Sequence, residues 1–343
     1  MHIDLLRTTC CLLSLLLGIW SVGVNAQPPE AENRCEVIPL PGMQTAFLVD
    51  GVEQMRWHFG GEYPRPFFFP FRGPSGADLT RMGHPGAPNH DHHRSIWFGH
   101  ANVAGENFWG EPSRSTIRQK TWLAYQDGNA EAVMASRCGW YDVNGRESLE
   151  QDLVAALIPL ADGEQTLELQ LTLRPGGRSA LVELGKSNFG LLAVRVAKSL
   201  SVAFGAGQIS DSEGRQGETA IFEQHARWVD YSGPVAVGAG QDRRVVVEGI
   251  TYFDHPDNPG YPPRWHVRED GWMGASFSGE EQVVIRSQEP LTLRYLLWAH
   301  AEGYDHDRAA TMHSEFANRP GFQITRSTRK HRQFEVNRIA VER

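Results

Sequence analysis

The chain has 343 residues, with 33 Lys and Arg against 41 Asp and Glu, a formal charge of −8, 35 Gly, 20 Pro and 10 Trp. An acidic balance with no Lys/Arg stripe before the C-terminal tail excludes a nucleic-acid surface, and no apolar run after the N-terminal segment is long enough for a membrane span. Frequent Gly and Pro with many aromatics suit short strands and turns, and neither an internal repeat nor a low-complexity tract interrupts them.

The first 26 residues read as a signal peptide: Arg7 gives the positive region, Leu12 to Trp20 the apolar region, and Val24-Asn25-Ala26 the small-residue cleavage pattern. The protein is therefore expected to be exported, periplasmic or extracellular, with residues 27–343 as a single domain. Of four cysteines, Cys10 and Cys11 leave with that segment. Cys35 and Cys138 remain, either as one disulfide or as two separate thiols.

An N-terminal hairpin is expected from Glu36 to Phe59, turning at Asp50-Gly51. The proline-bounded run Phe67-Phe68-Phe69-Pro70-Phe71 reads as an edge or crossing segment. Strands follow near 115–125 and 130–141, with turns at Asp127-Gly128 and Asn144-Gly145, and then at Gln151–Pro159. From Thr166 to Leu173, Leu167, Leu169, Leu171 and Leu173 alternate with Glu168, Gln170 and Thr172, as a half-buried antiparallel strand requires. The apolar runs Phe189–Val196 and Leu200–Phe204, the segments Thr219–Asp230 and Arg244–Phe253, and three later stretches ending at His300 complete the strand set. One helix is expected from Asp305 to Asn318, capped by Asp305 or Asp307. Many strands with one late helix mean an all-β fold.

The chemistry concentrates between His84 and His100, which holds five of the fourteen histidines (His84, His90, His92, His93, His100) beside Asp91 and Arg94. Pro85, Gly86 and Pro88 make its first half a loop, and the second half has strand composition. Strand parity groups Arg94, Ile96, Phe98 and His100 on one face and Trp97 with His93 on the other, and its backward extension puts His92 with His100. Neutral imidazoles there suit general acid/base work, which makes His90, His92, His93 and His100 catalytic candidates. A divalent metal is an open option, with His90, Asp91 and His92 as ligands. The plain alternative is a loop whose imidazoles satisfy backbone carbonyls.

Glu223 and His225, two apart on an expected strand, are the second source of acid/base groups. The loop from Asp254 to Pro263 and the residues just after it add Asp254, His255, Asn258, Arg264 and Trp265. Together with Arg94, Trp97 and Trp109 these are the substrate-binding candidates, because rings stack on a pyranose while planar polar groups hold its hydroxyls.

Three motifs in order, His90-Asp91-His92-His93-Arg94-Ser95-Ile96-Trp97-Phe98-Gly99-His100, Arg227-Trp228-Val229-Asp230-Tyr231-Ser232-Gly233, and Gly249 to Pro259 followed by Trp265-His266-Val267-Arg268, resemble the exported bacterial family labelled PmoA-like after a methane oxygenase subunit. The resemblance runs from about Arg65 to Ala299, and Asn89 stands where it implies an acidic residue. It implies a large antiparallel β-sandwich similar to the sugar-mutarotase supersandwich and a link to carbohydrate breakdown. Methane oxidation itself is disfavoured, because it needs apolar spans. The expected function is an exported carbohydrate-active enzyme with a His/Glu acid–base site acting on a small-molecule or oligosaccharide substrate. A non-catalytic glycan-binding module and a metal-dependent oxidoreductase are the alternatives.

Overall fold

The computed structural model describes residues 33–84 and 86–340. The expected signal peptide, Cys10, Cys11 and Pro85 lie outside the described residues. Five strands open the chain: β1 (Cys35–Leu40), β2 (Gln44–Val49), β3 (Val52–His58), β4 (Phe67–Phe71) and β5 (Ile96–Phe98). Four longer ones follow, β6 (Thr116–Gln126), β7 (Ala132–Tyr141), β8 (Glu147–Pro159) and β9 (Gln165–Pro175). Next come β10 (Leu181–Leu184), β11 (Leu192–Arg195), β12 (Gln208–Asp211), the short helix α1 (Glu218–Ile221), β13 (Trp228–Val237) and β14 (Arg244–Asp254). The chain continues through β15 (Arg264–Arg268), β16 (Trp272–Ser276), β17 (Val283–Arg286), β18 (Leu291–Ala301), helix α2 (His306–Asn318), β19 (Phe322–Arg326) and β20 (Phe334–Arg338).

Two eight-stranded antiparallel sheets carry the fold, ordered β1-β2-β3-β4-β5-β11-β16-β15 and β12-β13-β14-β18-β9-β8-β7-β6. Their inner faces share one core. Ile96, Phe98, Leu192, Val194, Trp265 and Met273 come from the first sheet, and Leu153, Leu167, Leu169, Leu171, Tyr252 and Leu297 from the second. Alternation drives this arrangement, since each buried Leu adds about 1.5–3 kcal/mol when its partner face is also apolar. The all-β, sandwich-like architecture with a single long helix is the one the sequence implies.

Several details depart from the sequence reading. β4 is not an edge, because it lies between β3 and β5. Its pairing with β5 covers only Phe67 and Phe68, so Pro70 falls beyond the last shared rung and its missing N–H breaks nothing there. Thr219–Asp230 is not one strand: α1 ends at Ile221, Glu223 is left-handed at φ 58°, and β13 begins only at Trp228. Leu200–Phe204 is a loop, with Phe204 exposed. Opposite the leucines of β9, Glu168 is fully buried rather than solvated, because Arg294, Arg319 and Arg338 all ion-pair with it. Cys35 and Cys138 are buried free thiols.

Both outer faces are covered. On the second sheet, Trp228, Phe253, Leu296 and Trp298 pack against Ala309, Met312 and Phe316 of α2, and β19–β20 covers Val133, Val154 and Ala156. On the first sheet the outer face carries Phe67, Trp97, Ala193 and Trp272, joined by Trp109. The histidine-rich loop between β4 and β5 lies over that floor.

Candidate active site

Register puts the floor together. Trp97 pairs with Phe67 and with Ala193, Ala193 with Gly274, and Gly274 with His266, so these positions share one row across four neighbouring pairs of strands. The next row holds Arg195, Trp272 and Arg268. Trp265, one residue from His266, therefore faces the opposite way. It is fully buried in the core and donates its indole N–H to the Ala226 carbonyl at 2.8 Å.

The loop is held at both ends. Gly83 N–H donates to the His93 carbonyl at 2.9 Å, His93 N–H to the His90 carbonyl at 3.0 Å, and His90 N–H to the Ala87 carbonyl at 2.9 Å. Ser95 is left-handed at φ 52°, donates its N–H to the Arg81 carbonyl, and hydrogen-bonds Thr80 Oγ1 through its own hydroxyl at 2.7 Å. That reversal resets side-chain direction just before β5, so parity cannot be carried back from Ile96 to His92.

The loop thus brings its imidazoles together. Ring centroids lie 4.3 Å apart for His92 and His93, 5.3 Å for His90 and His93, 6.0 Å for His90 and His92, and 5.5 Å for His84 and His90. His93 stacks on Trp97 at 5.1 Å and also meets Trp109 and Trp272. Its Nδ1 and that of His90 are buried without a hydrogen-bond partner, as is Trp97 Nε1. Burial, reinforced by the neighbouring His92 and Arg195, holds His93 far below the usual imidazole range. Burial and the nearby Arg65 guanidinium push His92 down to about 4. Both rings are neutral near pH 7, and burial opposes protonation of His93 more strongly than of His92.

Polar and charged contacts surround the rings. His84 Nε2 lies 3.1 Å from Asp270, whose carboxylate also receives Arg195 at 2.9 Å. Arg94 pairs with Glu111 and lies over the Tyr63 ring. Across the floor, His266 stacks on Trp272 at 4.1 Å, donates from Nδ1 to the Asn188 carbonyl at 3.1 Å, and accepts from Arg268 at Nε2. Asn188 in turn donates its side-chain N–H to Glu223 at 2.9 Å. Glu223 thereby reaches the same sheet face at its far side, through Asn188 and His266.

The remaining expected residues lie elsewhere. His100 is fully buried, accepts from the Asn102 N–H at Nδ1 and donates to Ser278 at Nε2, so it does not join His92. His225 is largely exposed, bonded to the Pro262 carbonyl and Glu280, and shares with Arg264 a separate cavity of about 280 Å³. Asp254 is buried, held above the usual carboxylate range by burial, and bonded to Asn258 at 2.7 Å. Asn258 bridges on to both backbone groups of Arg294. His255 accepts from Arg294 at 2.8 Å and packs on Phe316 of α2. These three belong to the second sheet and its helix, so the sandwich separates them from the imidazole cluster. Trp97 and Trp109, at 0% and 7% exposure, support the histidines instead of offering an open stacking face. Asp91 is exposed, and among the described residues no three His, Cys, Asp or Glu side chains are arranged to hold a metal ion.

Sequence reasoning missed the His84–Asp270 contact, Arg65, Arg195 and Trp272, and it noted His266 only as part of a loop and a motif. The alternation Trp265-His266-Val267-Arg268, read as a strand instead of as the end of a loop, would have put His266 and Arg268 opposite Trp265.

No curated protein matches the chain. The family model that does match, over residues 44–314, is DUF6807, a family of unknown function. That match corrects the PmoA-like resemblance, for which no methane oxygenase relationship is found, and it contains all three motifs on which the resemblance rested. With most of its length covered, the chain belongs to the DUF6807 family, whose function is unknown.

Proposed function

We propose that this is an exported carbohydrate-active enzyme whose working site is the imidazole cluster on the outer face of the first sheet. The observation that carries the reading is the pair His92 and His93: neutral, 4.3 Å apart, with His93 seated on Trp97 and its Nδ1 left unpartnered. His92, the less buried of the two, is the base in this reading: it abstracts a proton from a hydroxyl or a ring carbon and returns it as an acid, with Glu111 as the nearby anion that favours the charged ring. Arg94 and Glu111 supply a fixed donor and acceptor, and the exposed Phe204 ring, 5.4 Å from His84, supplies an open apolar face at the rim. Aromatic surface beside fixed planar polar groups is what a sugar ring uses.

A module that binds glycans by stacking is less well supported. Among the described residues, the exposed large apolar side chains include Tyr125 and Phe204 but no tryptophan. The oxidoreductase alternative loses its basis with the family correction.

The test is turnover of a panel of glycosides and free sugars by wild type and His92→Ala. His92 is half-buried, so its truncation spares the fold, and at least a hundredfold loss of kcat with the melting temperature held within a few degrees is expected. Unchanged turnover by His92→Ala would sink the acid–base assignment.

A further inference from the structure

Beside the imidazoles lies an excess of buried positive charge. Arg65 is 1% exposed and Arg94 9% exposed. Arg65 donates one hydrogen bond, to the Trp109 carbonyl at 2.5 Å, and its second terminal nitrogen is buried without a partner. Arg94 pairs with Glu111 through one nitrogen and leaves the other buried and unpartnered. Among the described residues Arg65 has no carboxylate within ion-pair distance, and the charges it feels are the Arg94 guanidinium and the carboxylate of Glu111, which Arg94 already engages. His92, beside both Arg65 and Glu111, is neutral and cannot compensate. Burying an unmatched guanidinium is costly, and a planar fork with free N–H groups fits a carboxylate better than it fits a hydroxyl.

We propose that the substrate of this site carries a carboxylate, held by Arg65 and Arg94 next to His92, so that the ligand class is an acidic sugar of the uronate type. This rests on the proposed carbohydrate activity of the same cluster and specifies its substrate. The bound carboxylate supplies the missing anion, and the sugar ring then projects toward His92 and His93. A hydroxyl in the same place could accept from both guanidinium groups but, being neutral, would leave the charge unmatched. Arg94→Lys is not an equivalent change, because an ammonium offers a point charge in place of a fork.

Isothermal titration of the full chain with glucuronate, methyl glucoside and acetate separates the possibilities. Glucuronate is expected to bind at least tenfold more tightly than methyl glucoside, with an affinity that weakens as salt rises. Arg94→Gln should reduce that preference about tenfold. Arg65→Met should do the same, and Arg94→Gln keeps the question answerable if the more deeply buried variant does not fold. Methyl glucoside binding as well as glucuronate would overturn the carboxylate subsite and leave the sugar reading standing. Acetate binding without either sugar would uphold the subsite and overturn the sugar reading. No binding by any of the three would overturn both.

Discussion

His93 shows how one side chain can hold both the packing and the chemistry of a site. Its ring fills the space between Trp97, Trp109 and Trp272, and that burial is also what keeps it neutral. Removing the floor should therefore cost twice. Trp97→Ala is expected to lower stability by about 3–5 kcal/mol through the cavity it leaves, and to lower turnover by freeing His93. Urea denaturation alongside the glycoside assay checks both, and a stable Trp97→Ala enzyme with full activity would refute the support role. How much of the site was legible at this scale depended on local geometry. Alternation pairs His93 with Trp97, and the two rings do stack, but that count also runs through Ser95, so the agreement is not owed to strand parity. His92 was placed with His100 because parity was extended through Ser95, whose left-handed backbone reverses direction without leaving a sequence mark as plain as glycine. Arg65 and Arg195 carried no mark at all, since a buried arginine looks in sequence like a solvated one.

At the scale of elements, period-two patterning was legible wherever a strand buries one face. The hairpin turning at Asp50-Gly51 follows from it, with both turn residues at positive φ, and so does the extent of β9, although β9 is buried on both faces. Helix α2 was legible from its cap: Asp305 accepts from the Arg308 N–H at 2.9 Å. Patterning failed where both faces are covered, because a polar residue inside a buried network mimics a solvated one. Glu168 is the clearest case, and it ties β9 to β18 through Arg294, to the end of α2 through Arg319 and to β20 through Arg338. Glu168→Ala strands those charges and is expected to destabilise the fold by about 3–5 kcal/mol, against about 1 kcal/mol for removing the helix cap in Asp305→Ala. Comparable midpoints for the two variants in chemical denaturation would contradict that ranking.

For the whole molecule, the buried histidines give stability a definite dependence on pH. Burial first, and neighbouring arginines for three of the four, hold His100, His255, His266 and His313 down to about 4, below the unfolded value near 6.5. The unfolded chain therefore binds protons that the folded chain refuses. Stability is fully present above pH 6.5 and falls as pH drops from there toward 4. His300 has the opposite sign. Although burial opposes its charge, Asp230 at 2.8 Å raises it, so its contribution is present below pH 6.5 and fades as pH rises through its folded value. These four, with His58, His92 and His93 lowered in the same direction, outweigh one, and the melting temperature should drop steeply from pH 7 to pH 5. A flat profile would mean that these imidazoles are solvated.

Two sheets that share a core leave two outer faces, and the proposed working site lies on the face carrying His84, His90, His92, His93 and His266. The most direct check is a histidine-labelled nitrogen–proton spectrum of the imidazoles during titration with glucuronate. The predicted result is perturbation of His92, His93 and their loop neighbours, with His255 and His313 on the opposite face unmoved. Perturbation of His255 or His313 with the loop imidazoles silent would contradict it.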